Sequence, residues 1–271
     1  MSASALVRLE QEIAILAGRL TPPAAPMSRL AMASRLGLTL DEWQVEALTS
    51  DARQVIFNIH RQGGKSTAAA ILGLHEALTV PDAVVLAVSP GERQSKLLFR
   101  TMLRFYKLLD RPVPALIENR LSIEFANGSS IFALPGDSDT IRGFAGVTLV
   151  LADEASRIPD EMLAAVRPML SVSNGRLVTM STPAGRRGWW WAAWDQGGDD
   201  WERYEVPATA CPRISPAWLE QERRALPASW FAAEYLCQFT DIDDAAFRGE
   251  DVDAAFSEDI RPLFAPLEIA V

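Results

Sequence analysis

The segment His60-Arg61-Gln62-Gly63-Gly64-Lys65-Ser66-Thr67 separates a β-branched run, Val55-Ile56-Phe57-Asn58-Ile59, from an alanine-rich one, Ala68-Ala69-Ala70-Ile71-Leu72. The first run suits a buried strand and the second suits the opening turns of a helix. A strand, a glycine-bearing loop and a helix in that order form the frame of a phosphate-binding loop. Backbone N–H groups and the positive end of the helix dipole converge there on a polyanion. Gly63 and Gly64 allow the main chain to approach phosphate oxygens, Lys65 can bridge the β- and γ-phosphates, and the Ser66 hydroxyl can hold Mg²⁺. Arg61, Gln62 and Thr67 complete the candidate nucleotide-binding set. The usual motif begins with a glycine five positions before the Gly of Gly-Lys-Ser, and Ile59 stands there instead. A chance Gly-Lys-Ser at a helix start is the competing explanation, and the flanking strand and helix argue against it.

What surrounds the loop sets the fold class. Apolar runs at Ala83-Val84-Val85-Leu86-Ala87-Val88, Thr148-Leu149-Val150-Leu151-Ala152 and Gly175-Arg176-Leu177-Val178-Thr179-Met180 read as buried strands, with helices predicted over 92–109 and 159–170 between them. This alternation implies an α/β fold with a mainly parallel central sheet flanked by helices on both faces, and together with the loop it resembles the P-loop NTPase fold of the ASCE/RecA-like kind. Leu121-Ser122-Ile123-Glu124-Phe125 and Ser130-Ile131-Phe132-Ala133-Leu134, joined through Asn127-Gly128, predict a hairpin. Residues 28–50 read as one helix. Residues 1–27 form a helical arm and Pro-rich linker, 28–240 the ATPase-type domain, and 241–271 an acidic C-terminal linker.

Composition narrows the function classes. The chain has 271 residues, 49% of them hydrophobic, enough for a packed core. No apolar run is long enough for a membrane span, and charges within 4–20 make that stretch an amphipathic helix rather than a secretory leader. Cys211 and Cys237 are expected to be buried thiols, with a single disulfide left open. Two histidines exclude a histidine-rich metal site. A net charge of −9 argues against a surface that coats nucleic acid, while leaving room for a narrow basic track.

Two further constellations carry chemistry. The run Leu149-Val150-Leu151-Ala152-Asp153-Glu154 brings two carboxylates to the C-terminal end of a buried strand, where open α/β sheets bind ligands. Asp153 is placed to hold Mg²⁺ and Glu154 to activate the attacking water, although an acidic helix cap would have the same composition. Ser181-Thr182-Pro183 ends another strand in hydroxyls that could sense the γ-phosphate, or simply form a turn. Arg186-Arg187-Gly188-Trp189-Trp190-Trp191 mixes cations with aromatics. Its tryptophans read mainly as core or interface anchors, and its arginines as weaker DNA candidates.

Together with Asp41-Glu42-Trp43-Gln44, these elements resemble the ATPase domain of the large terminase subunit of tailed bacteriophages over roughly residues 38–247. In that family the loop runs Arg-Gln-x-Gly-Lys-Ser/Thr without the first glycine, which is the departure found at Ile59. The resemblance implies an ATP-hydrolysing, Mg²⁺-dependent motor that moves double-stranded DNA into a procapsid. It also implies portal protein and small terminase subunit as partners, a homo-oligomeric ring, and a site of action in the bacterial host cytoplasm at the portal. It places Gln44 at the adenine with Trp43 as a packing surface beside it, and Ser181 and Thr182 in a coupling motif. Arg142 becomes a trans-acting arginine, with Arg61 as the competing candidate. The family's ribonuclease-H-like nuclease domain is expected to be missing, the acids of 241–259 being a solvated linker surface. No nuclease activity is therefore expected of this chain. A superfamily-2-like helicase or remodelling ATPase, and a non-hydrolysing P-loop assembly module, are the alternatives.

Overall fold

The computed structural model describes residues 27–135 and 141–240. The N-terminal arm and the acidic C-terminal linker therefore lie outside the described residues, apart from Met27 at the end of the arm. Chain order runs α1 (Arg29–Arg35), α2 (Glu42–Thr49), β1 (Gln54–Ile59), α3 (Lys65–Thr79), β2 (Val84–Ser89) and α4 (Glu92–Leu108). It continues through β3 (Ala115–Glu118), β4 (Ser122–Phe125), β5 (Ser130–Pro135), β6 (Val147–Asp153), α5 (Asp160–Ser173), β7 (Arg176–Ser181) and α6 (Gly188–Asp195). The last described elements are β8 (Glu202–Val206), α7 (Pro216–Ala225) and α8 (Ala228–Leu236).

The eight strands form one sheet in the order β3-β4-β5-β2-β6-β7-β1-β8. From β5 to β8 all pairings are parallel, while β3-β4-β5 is an antiparallel wing. Strand residues alternate between two cores, as a period-2 element buried on both faces requires. Val55, Phe57 and Ile59 of β1 join Leu149 and Leu151 of β6 against α1 to α4. Ile56, Val150 and Ala152 face the other way, against α5 and α6. This confirms the expected α/β class.

β7 lies between the strand that enters the phosphate loop and the strand that ends in the carboxylates. Its register pairs Asn58 with Ser181 and Asp153 with Met180, so the three strands end at the same level. Two expectations change. The helix read over 28–50 is two helices, because Gly37 takes φ +67 and its N–H bonds back to the Ser34 carbonyl at 2.9 Å, closing α1. Strands β3 and β8, not foreseen from the sequence, extend the two edges of the sheet.

The candidate nucleotide site

The loop after β1 is built to approach something closely. Gly64 has φ +92, and a Cβ there would stand 2.6 Å from Gln44 Nε2; one on Gly63 would stand 2.5 Å from the Ile59 side chain. Gln62 also adopts the left-handed region, at φ 63. Lys65 opens α3 and its side chain is buried. Its ammonium donates to the Ile59 carbonyl at 2.5 Å and the His60 carbonyl at 3.1 Å. Burial lowers its pKa, and the charges of Glu154 and Asp153 oppose that shift. Ser66 is exposed and Thr67 half-buried on the first turn of α3.

β6 delivers the acids to the same rim. The Asp153 Oδ1 accepts from the Glu154 N–H at 3.1 Å. Burial first, and the Glu154 charge second, push the Asp153 carboxyl up to about 6, with Lys65 pulling the other way. Glu154 sits at φ 52, ψ 42, a left-handed conformation that is costly for a non-glycine residue and turns its side chain away from the strand direction. Its Oε2 accepts from Arg157 Nη1 at 2.8 Å and from Ser181 Oγ at 3.4 Å. Ser156 Oγ lies 2.7 Å from Ser181 Oγ and donates to the Thr182 carbonyl at 2.8 Å, so both hydroxyl-bearing positions adjoin the acidic pair.

An alternating chain of charges connects the acid to the loop. Arg157 Nη2 stands 3.5 Å from Glu234 Oε1 on α8, and Glu234 Oε2 stands 3.9 Å from Arg61 Nη1. The Arg61 N–H donates to the Glu234 carbonyl at 3.0 Å. Asn58, fully buried, donates to the Cys237 carbonyl at 2.8 Å, tying the end of α8 to β1. Sequence reasoning missed Arg157 and gave Glu234 no role at the site. Arg157 lies three residues after Glu154, a spacing that brings side chains together on a helical turn. Glu234 had no local signal.

The structure places the remaining candidates differently from one another. Gln44 is 4% exposed, and both ends of its amide are engaged: Oε1 accepts from the Asp41 N–H at 2.9 Å and Nε2 donates to the Gly64 carbonyl at 3.2 Å. Gln44 therefore braces the phosphate loop. A bidentate Arg213–Asp41 pair, at 2.5 and 2.7 Å, secures that brace and holds the Asp41 carboxyl below its ordinary range. Trp43 is 7% exposed and packs edge-on to Phe57, with ring centroids 5.4 Å apart; it is a core side chain and offers no open surface to a base. Arg142 is exposed on the connection from β5 to β6. Trp189 and Trp190 are buried and donate to the Ile158 carbonyl and Thr179 Oγ1, as expected of core anchors. Both cysteines are free and buried.

Lys65, Asp153 and Glu154 share one electrostatic field at the ends of parallel strands, and Ser66 stands on the first turn of the helix that Lys65 opens. The family described as "Terminase large subunit, T4likevirus-type, N-terminal" matches residues 56–254. The chain belongs to this terminase family. Its similarity to the curated large terminase subunits of Thermus phage G20c and Thermus virus P23-45 is 24% identity over 258 residues, covering 80% of this chain and 52% of each relative. The chain thus spans about half the length of those relatives. Among solved structures, the large terminase ATPase domain of Thermus phage P74-26 superposes with a TM-score of 0.71 at 21% identity, covering 80% of this chain and all of that one. The large terminase of bacteriophage HK97 gives 0.62 at 16% identity, covering 74% of this chain and 51% of that one. At such identities these two likenesses concern the fold.

Proposed function

We propose that this terminase domain hydrolyses ATP with Mg²⁺ and that the hydrolysis drives double-stranded DNA into a procapsid. The observation that carries the reading is the convergence of Lys65, Asp153 and Glu154 at the ends of β1 and β6. Mg²⁺ suits the donor set. The Ser66 hydroxyl and the Asp153 carboxylate are hard oxygen ligands, and this ion is characteristically held by one or two carboxylates plus substrate phosphates. The raised Asp153 carboxyl also marks a place where a cation would be stabilising. When bound, the ion supplies charge neutralisation at the terminal phosphates.

The chain's own residues do the rest. Backbone N–H groups of the Gly63-Gly64 turn and the start of α3 receive the phosphates, and the Lys65 ammonium transfers to them from the Ile59 and His60 carbonyls. Glu154 orients the attacking water and takes its proton. Leaving Arg157 is what frees its Oε2 for that work. Arg142 of a neighbouring copy, with Arg61 in the same copy, would stabilise charge on the transferring phosphoryl group. Ser181, bonded directly to Glu154, and Thr182, linked to Ser181 through Ser156, would register loss of the γ-phosphate. The assembly in this reading is a ring of copies with portal protein and small terminase subunit, acting in the bacterial cytoplasm.

Glu154→Gln tests the core of the proposal. Phosphate release should fall by roughly 10²-fold or more, in the range that loss of a general base produces, while affinity for a fluorescent ATP analogue stays within about threefold of wild type. Near-normal turnover in this variant would refute the assignment.

A further inference from the structure

α4 separates its charges from its apolar residues unusually cleanly. Leu98, Phe99, Met102 and Phe105 are buried against α3 and the sheet. Arg93, Lys96, Arg100, Arg104 and Lys107 recur at spacings of three and four on the other side, which places them on one face of the helix. Residues 92–111 hold six basic and two acidic residues, a net of +4. The whole chain is −9, so everything else sums to −13. This is the local basic track that the overall charge left room for.

Not all of these cations are equally available. Lys96 pairs with Glu92, and Lys107 and Arg111 share Glu118 at 3.0 and 3.4 Å. Arg93, Arg100 and Arg104 are exposed and have no ion-pair partner among the described residues. Arg93 to Arg104 spans about 16 Å of helix axis, close to the rise of five phosphates along one strand of a duplex. Leu97 and Leu108, 55% and 60% exposed, are the only large apolar side chains open on the helix, too few for a protein-type hydrophobic interface.

The surface is also mechanically close to the site. α4 starts three residues after β2, whose end lies beside β6. It packs on α3 where Gly73 leaves room: a Cβ there would stand 3.0 Å from Met102 Sδ and 2.8 Å from Leu151. The helix that begins with Lys65 and the helix that carries the arginines are thus in close contact.

We infer that the exposed face of α4 is a contact surface for the phosphate backbone of double-stranded DNA, with Arg93, Arg100 and Arg104 as its principal cations. The inference rests on the packaging function proposed above and assigns the DNA a place on this chain. Backbone contacts of this kind are independent of sequence, which a translocating motor needs.

The test measures binding of the full chain to a labelled duplex of about 30 base pairs by fluorescence anisotropy over a salt series, with DNA-free ATP turnover measured on the same preparations. Replacing Arg93, Arg100 and Arg104 together by Ala should weaken binding at least about tenfold. It should also flatten the slope of log K against log salt by up to about 3, since each phosphate contact contributes roughly 0.9. The corresponding triple Lys variant should bind within about threefold of wild type, and turnover should stay within twofold in both. A triple Ala variant that binds duplex like wild type overturns the surface while leaving the ATPase reading intact, and so does a wild type that turns over ATP without binding duplex at low salt. Loss of binding to poly-glutamate with duplex binding unchanged would make α4 a protein dock and equally defeat the inference. Absence of turnover in the wild type would strike the proposed function instead.

Discussion

The rim formed by the ends of β1, β7 and β6 and the antiparallel wing of β3, β4 and β5 belong to the same sheet, yet they treat their polar groups in opposite ways. At the wing, the turn between β4 and β5 satisfies itself. Asn127 Oδ1 accepts from the Ser129 N–H at 3.2 Å, and its Nδ2 donates to the Ala77 carbonyl at 2.9 Å. At the rim, a buried ammonium and a largely desolvated carboxylate share one field, and Glu154, Gln62 and Cys237 hold left-handed backbones. Asn58 Oδ1 and Ser89 Oγ, at the ends of β1 and β2, are buried without a partner in the described structure. Native proteins rarely leave such groups unsatisfied without a use for them. Substitutions at the rim should therefore alter nucleotide chemistry, and those in the wing should alter only the fold.

The sharpest way to break that contrast, after Glu154→Gln, is Gly64→Ala. The new methyl would face Gln44 Nε2 and force φ +92 on an alanine. Left-handed backbone costs a non-glycine residue roughly 1–2 kcal/mol. Nucleotide affinity should therefore fall by roughly tenfold or more, measured by titration of a fluorescent analogue, and unchanged affinity would show that the loop is less constrained than its geometry implies.

Asp153→Asn acts on stability instead of affinity, and raises it. The native carboxyl, at about 6, holds its proton more tightly than the unfolded one at 3.8. Between those values the native state binds more protons, so stability falls as pH rises through that window and the penalty is complete above it. In nucleotide-free protein with a chelator, the variant should be more stable than wild type by about 1–3 kcal/mol at pH 8. The gain should shrink through pH 6 and vanish below 3.8. Urea unfolding at several pH values measures this, and a pH-independent difference would contradict it.

On the wing side, Gly128→Ala should cost about 1–2 kcal/mol of stability, because Gly128 has φ +84 and a Cβ would collide with the Asp82 carboxylate. ATP turnover should stay within twofold. A turnover loss beyond the loss of folded protein would dissolve the distinction between the two regions.

The parts of this molecule visible in the sequence are those with a local pattern. β1, β2, β6 and β7 are continuous apolar runs, the wing hairpin announces itself through Asn127-Gly128, and the loop and acids follow the ends of their strands. β8 was invisible because its sequence, Glu-Arg-Tyr-Glu-Val, carries the charges of an edge strand and little apolar periodicity. The division of α1 from α2 was available in principle from Gly37, whose position after the last turn is a common helix stop. The Arg213 brace on Asp41 and the Glu234 link to Arg61 join residues 172 or 173 positions apart, and no periodicity reports contacts of that kind. Trp43 shows the converse error: adjacency to Gln44 suggested a shared role, but successive residues on a helix point in different directions, and this one points into the core.

Lys65 already has two oxygen acceptors of its own, the carbonyls of Ile59 and His60. On the proposed function, nucleotide binding would be an exchange reaction, in which phosphate must outcompete a ligand built into the same loop. The apparent affinity would then be the difference between two sets of contacts with one ammonium, lowered by the population of the self-satisfied state. The same internal competitor would return after hydrolysis, taking the lysine back as product leaves.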